Sequence, residues 1–235
     1  MANLFQNLTT EGMEQVKDSV GGYSPLETGA YDAKIKTIYI TNSKNGAMAA
    51  NLVADIDGRE YREQLWITNS KGQNYYVSKQ SNAKIPLPGF TVLNDICLCA
   101  IGHNLTDLGT EPKIYKVYDL EAKSEMPKEV QTIVDLIGSE IKLGIVKQIV
   151  DKQVKDASGN YVPSGETREE NVIDKVFHSS SLRTVNEAKA GVTEASFYGK
   201  WLAKNAGNTR DKTKKDAKPQ AMAGAPKPAT KTLFS

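Results

Sequence analysis

Apolar and polar residues alternate through much of residues 30–68, a period of two that predicts strands. AYDAKIKTIYI (30–40) sets Tyr31, Ala33, Ile35, Thr37 and Tyr39 on one face, with Lys34, Lys36 and Ile38 on the other. After the turn NSKNG (42–46), AMAANLVADI (47–56) aligns Met48, Ala50, Leu52, Ala54 and Ile56. Asp57-Gly58 is a two-residue hairpin signal, because both residues tolerate positive φ. REYREQLWIT (59–68) then returns with Tyr61, Leu65 and Ile67 on one face and Arg62, Gln64 and Trp66 on the other. These three segments predict a meander.

Later segments are less regular. Tyr75-Tyr76-Val77 follows a polar turn, and Pro86-Leu87-Pro88-Gly89 punctuates the chain. FTVLNDICLCAIG (90–102) is apolar without clean alternation and reads as a helix. KIYKVYDL (113–120) reads as a strand, and Pro127 as the first turn of a short helix ending at Gly138. EIKLGIVKQIVDKQV (140–154) and residues 168–178 read as two strands of a long hairpin turning at 157–160, with Ile141, Leu143, Ile145 and Ile149 near one face. SFYGKWLAKN (196–205) reads as a short helix.

This layout predicts a mainly β fold. It resembles an OB-fold, a partly open five-stranded barrel with a helix or two, elaborated by the long hairpin. The expected organisation is an N-terminal arm over residues 1–22, one domain over 23–203, and a basic tail over 204–235. The arm has the loose helical spacing Leu4, Phe5, Leu8, Met13 and Val16. The tail is rich in Lys, Ala, Pro, Thr and Gly and is expected to be disordered, ending in an apolar tip at Leu233 and Phe234.

Charge sharpens this division. The chain carries a net +2, but from Lys204 onward eight basic residues face Asp211 and Asp216 alone, which leaves about −4 for the rest. The tail suits polyanions, whereas the folded part needs its positive charge gathered on one face to do so. No stretch approaches the roughly 20 apolar residues that span a bilayer, and the N-terminus has no secretory pattern. Cys97 and Cys99 are too close to make a good disulfide pair, so a reducing, cytoplasmic setting is expected.

Aromatic residues interleaved with basic ones form the candidate site. Bases stack on flat side chains while Lys and Arg follow the phosphates. Trp66 beside Arg62, with Lys34 and Lys36 on the same sheet face, meets that requirement. Tyr75, Tyr76 and Lys79 extend it, and Lys142 and Lys147 add charge from the long strand. Tyr31, Tyr39 and Phe177 read as core. Cys97, Cys99 and His103 fall short of a zinc site, since the one other histidine is His178. Glu140 and Lys142 with Asp119 loosely match a metal-dependent nuclease strand, a pattern common by chance. No phosphate loop, nucleophile elbow or zinc-protease helix occurs, so neither an enzyme nor a cofactor is expected.

Residues 29–72, with their G-x-Y-x-A-x-I strand leading into the meander, resemble the opening of phage-encoded single-stranded DNA-binding proteins. LIGSEIKLGIVKQIVDK (136–152) is similar to a later part of that family, and together the resemblance covers roughly two-thirds of the chain. It implies an OB-fold that coats single-stranded DNA during replication or recombination, in a host cytoplasm. It also implies a C-terminal segment that recruits replication, recombination or transcription proteins. Tails in that family are acidic with an aromatic tip and compete with DNA. Here Phe234 keeps the tip but the tail is basic, which argues against self-inhibition. The alternative reading is a protein-interaction module that assembles with phage or host proteins.

Overall fold

The structure is a computed structural model, and it describes residues 24–119 and 122–213. The expected N-terminal arm and the tip at Leu233 and Phe234 lie outside the described residues.

The meander forms as its alternation demands. Strand β1 (Gly29–Asn42) pairs antiparallel with β2 (Met48–Ile56), and β2 with β3 (Arg59–Trp66). Asp57 and Gly58 take φ of 51° and 78°, the left-handed pair that matches the twist of the flanking strands. An irregularity between Ile35 and Thr37 in β1 corrects the expected facing. One extra residue there inverts the alternation, so Ile38 turns into the core, fully buried, and does not share the lysines' face.

Beyond the meander, Tyr75–Val77 (β4) and Lys84–Pro86 (β5) make a separate two-stranded hairpin. Helix α1 (Pro88–Ile101) follows, closed by Gly102 in the left-handed conformation. Its buried residues Leu93, Ile96, Cys97 and Cys99 recur at helical spacing. Burial pushes both thiols up to about 12, so they remain neutral and pack as small apolar groups.

The helix expected from Pro127 to Gly138 is instead strand β7 (Ser124–Thr132) and a single 3₁₀ turn at Val134–Leu136. β7 pairs along its whole length with β6 (Glu111–Asp119), and that pairing overrides a composition of Glu, Lys and Met that favours helix. Pro127 is tolerated because this stretch of β7 has no second partner needing its N–H.

β8 (Glu140–Lys155) and β9 (Tyr161–His178) form the long hairpin, with β9 starting seven residues earlier than the returning strand read from the pattern. β8 pairs with the first half of β1, while Thr132 of β7 meets Tyr39 further along the same strand. Short helix α2 (Val185–Lys189) carries a capping box between Thr184 and Glu187. Helix α3 (Ser196–Asn205) is followed by the short strand β10 (Arg210–Asp211), parallel to β8. Residues 204–213 therefore belong to the fold, which corrects the expected start of the tail.

The result is a mainly β architecture with one eight-stranded, largely antiparallel sheet. The sheet is not closed, since β3 and β9 do not pair. The main core packs Ile35, Leu52, Leu93, Ile96, Ile141 and Leu143 between the curled sheet and α1, which rests on β3, β8 and β9. A smaller cluster of Val146, Phe177 and Trp201 seats α3 on β8 and β9. No helix among the described residues is long and apolar enough to cross a membrane.

Candidate nucleic-acid interface

Cross-strand partners share a face of the sheet, so the registers of β1, β2 and β3 define its outer side. Rows run Thr41–Ala49–Trp66, Tyr39–Asn51–Gln64 and Thr37–Val53–Arg62, and Asp55 opposite Glu60 makes the next. Along β3 the successive rows are about 7 Å apart, close to the reach of one extended nucleotide. Ala49 and Val53 in these rows are buried.

Trp66 is 45% exposed at one end of this face. Its backbone is held rigidly: Gly89 in the first turn of α1 approaches so closely that a Cβ there would lie 2.4 Å from the Trp66 carbonyl oxygen. The polar middle is ordered by amides. The Gln64 side chain donates to Asn51 Oδ1 at 3.0 Å, and Asn51 donates to Thr41 Oγ1 at 2.9 Å.

The cations of this face are matched by carboxylates. Lys36 lies 3.2 Å from Asp55 and 3.9 Å from Glu60. Arg62 lies 2.7 Å from Glu60 and 3.5 Å from Glu125 of β7. The hydrogen bond that Arg62 donates to Glu60 holds the guanidinium above its ordinary value, and the Gly58 N–H followed by Lys36 hold Asp55 below its own. Both cationic side chains remain about half exposed. Lys34 is exposed one turn of the pleat away.

The other expected contacts are dispersed. Tyr75 is half-buried beneath the Lys84 ammonium, which sits 4.6 Å from its ring centroid. Tyr76 and Lys79 are exposed on the same β4–β5 hairpin. Lys142 and Lys147 are largely covered, with side chains 13% and 14% exposed. Lys142 binds Asp32 at 2.6 Å, and Lys147 binds both Glu27 and Glu169 at 3.1 Å. Their charge is spent within the fold.

Three residues of this face carried no signal in the pattern. Tyr39, which reads as core, is half-buried on the outer side and stacks on Tyr115 of β6, with centroids 5.7 Å apart and planes 23° apart. Burial raises the Tyr39 phenol, Arg62 lowers it, and Glu125 raises it again. Glu125 and Tyr115 both come from the β6–β7 hairpin, which folds back over the sheet. Alternation within one strand cannot announce such a contact. Glu140 and Lys142 share a face of β8, and among the described residues no group of three or more His, Cys, Asp or Glu is arranged to hold a metal ion. No protein-family model and no curated protein matches the chain.

Proposed function

We propose that this chain is a single-stranded DNA-binding protein of the bacteriophage type. It coats unpaired DNA without strong sequence preference during replication or recombination, in the host cytoplasm, and its C-terminal segment recruits partner proteins. The carrying observation is the exposed indole of Trp66 on one sheet face with Arg62 and Lys36. An aromatic platform flanked by cations suits bases and phosphates of any sequence. The order of elements supports an OB-like reading: a meander, then a helix, then strands that return to β1. Trp66, Tyr75 and Tyr76 stack bases, while Lys34, Lys36, Arg62 and Lys79 follow the backbone. The chain acts by binding and not by catalysis.

The test is a fluorescence titration with an unstructured oligonucleotide of about 30 nucleotides, single- or double-stranded, at two salt concentrations. Tight, salt-sensitive preference for the single strand, lost with Trp66→Ala, is the expected result. Equal weak binding to both forms overturns it.

A second reading is a protein-interaction module. Ile114 and Tyr118 favour it, being 71% and 58% exposed on the same face of β6. Exposed apolar residues of that size on a projecting hairpin are what a protein partner covers. Retention of a partner protein after Trp66→Ala, with loss on Ile114→Ser, would mark this reading as the correct one.

A further inference from the structure

We infer that the β6–β7 hairpin is the second wall of the strand-binding groove, in which Tyr115 and Tyr39 form a stacking station for an unpaired base and Arg62 forms a phosphate site occupied by Glu125 in the free protein. The inference rests on the single-strand reading and adds to it residues that the alternation pattern leaves out.

Two observations carry it. The hairpin leaves the sheet at Thr132 opposite Tyr39, yet two of its side chains return to the outer face. Tyr115 lies nearly parallel to Tyr39, both are half-buried, and a base continues such a stack through a ring face. Trp66 sits two strands and one row from Tyr39, on the order of 12 Å, which two extended nucleotides bridge. Both stations therefore fit one strand.

The second observation is the guanidinium between two carboxylates. Glu60 belongs to β3 itself and holds Arg62 at 2.7 Å, whereas Glu125 arrives from the hairpin at the longer 3.5 Å. A guanidinium presents its donors in a fork that fits carboxylate and phosphate alike, so a backbone phosphate replaces Glu125 without any rearrangement of Arg62.

The test titrates the full-length chain with single-stranded oligonucleotide at low salt. Removing the competing carboxylate in Glu125→Gln is expected to tighten binding about threefold or more, since one paired charge is released. Tyr115→Ala is expected to weaken binding about fivefold or more, while Tyr115→Phe, which keeps the ring, stays near wild type. A photo-crosslinking oligonucleotide carrying a halogenated base should attach to Tyr115 or Tyr39. If wild type binds and Trp66→Ala weakens it, but Glu125→Gln or Tyr115→Ala stays within about twofold of wild type, the hairpin is no groove wall and the single-strand reading stands. If wild type shows no preference for single strands, that reading falls and takes this inference with it. Glu125→Gln and Tyr115→Phe are nearly isosteric, so a folding failure of Tyr115→Ala leaves the test decisive.

Discussion

Glu63 on β3 accepts a hydrogen bond from the backbone N–H of Ile173 on β9 at 2.9 Å, across the seam where the sheet fails to close. The same carboxylate accepts the Tyr61 hydroxyl at 2.5 Å. A strand edge carries unpaired backbone donors, and burying one without a partner costs about 1–3 kcal/mol. One side chain thus does for Ile173 what a neighbouring strand would do. Helix α1 packs against both β3 and β9 beside it. The sheet stays open yet this donor at its edge is satisfied, and Arg62 and Trp66 on the outer face of β3 stay exposed.

This arrangement makes Glu63 sensitive to pH. Burial holds its carboxyl above the ordinary 4.5, although the Tyr61 hydroxyl and the Ile173 N–H both pull it down. The folded chain therefore binds more protons than the unfolded one between those two values. Stability owed to Glu63 is greatest below the ordinary value and declines as pH rises through the raised one. Glu63→Gln keeps an acceptor but cannot ionise. Its urea midpoint relative to wild type should improve as pH rises above the ordinary 4.5, and a constant difference would refute the assignment. Glu63→Ala orphans the Ile173 N–H and should cost roughly 1–3 kcal/mol throughout.

Gly89 controls the position of Trp66. A Cβ at residue 89 would meet the Trp66 carbonyl oxygen at 2.4 Å and its nitrogen at 2.7 Å, contacts that no side-chain rotation relieves. Gly89→Ala must push α1 away from β3 at the end of the sheet that bears the indole. The expected loss is about 3 kcal/mol, the upper end for overpacking. Calorimetry or urea unfolding measures it, and a midpoint unchanged from wild type would contradict the close approach.

Much of this organisation is legible in the sequence, for local reasons. Asp57-Gly58 determines its own turn, and the apolar run 90–102, which lacks a strand's alternation, reads as the helix it forms. The failures are nonlocal. Ile38 is misplaced because a single extra residue after Ile35 inverts every later side chain in β1. Residues 127–132, where Pro127 opens a run with Lys128, Glu129 and Gln131, become a strand through pairing with β6. Lys142 and Lys147 look like available cations until Asp32, Glu27 and Glu169, distant in sequence, arrive beside them. Tyr39 reads as core because alternation cannot tell the inside of a curled sheet from an outer face under a hairpin.

Asp174 ties the last described residues to the fold. It accepts the Trp201 indole N–H at 2.8 Å and the Arg210 guanidinium at 2.9 Å. Burial raises its carboxyl, but the indole and the guanidinium together hold it below the ordinary 3.8. A depressed folded value gives stability that is present above the unfolded value and lost as pH falls through the folded one. Asp174→Asn should therefore cost roughly 1–3 kcal/mol at neutral pH, chiefly through the indole because Arg210 is partly exposed and screened. Its deficit against wild type should close in acid, below the ordinary 3.8. A deficit independent of pH would mean that the amide loses shape complementarity and not charge.

Salt dependence separates lysines that meet DNA from lysines that hold the fold. Each phosphate neutralised on a single strand contributes about −0.7 to the slope of log K against log salt. Lys36 and Arg62 are paired but half exposed, so phosphates can exchange with their carboxylates. Lys142 and Lys147 are enclosed by Asp32, Glu27 and Glu169 and offer little surface for exchange. Replacing Lys36 and Arg62 together by alanine should flatten the slope by about 1.4. Lys142→Ala and Lys147→Ala should leave the slope within about 0.3 of wild type. Titrations at four or more salt concentrations resolve these differences. A slope reduced by Lys142→Ala as much as by Arg62→Ala would move the groove off the outer face of β1, β2 and β3 and onto β8.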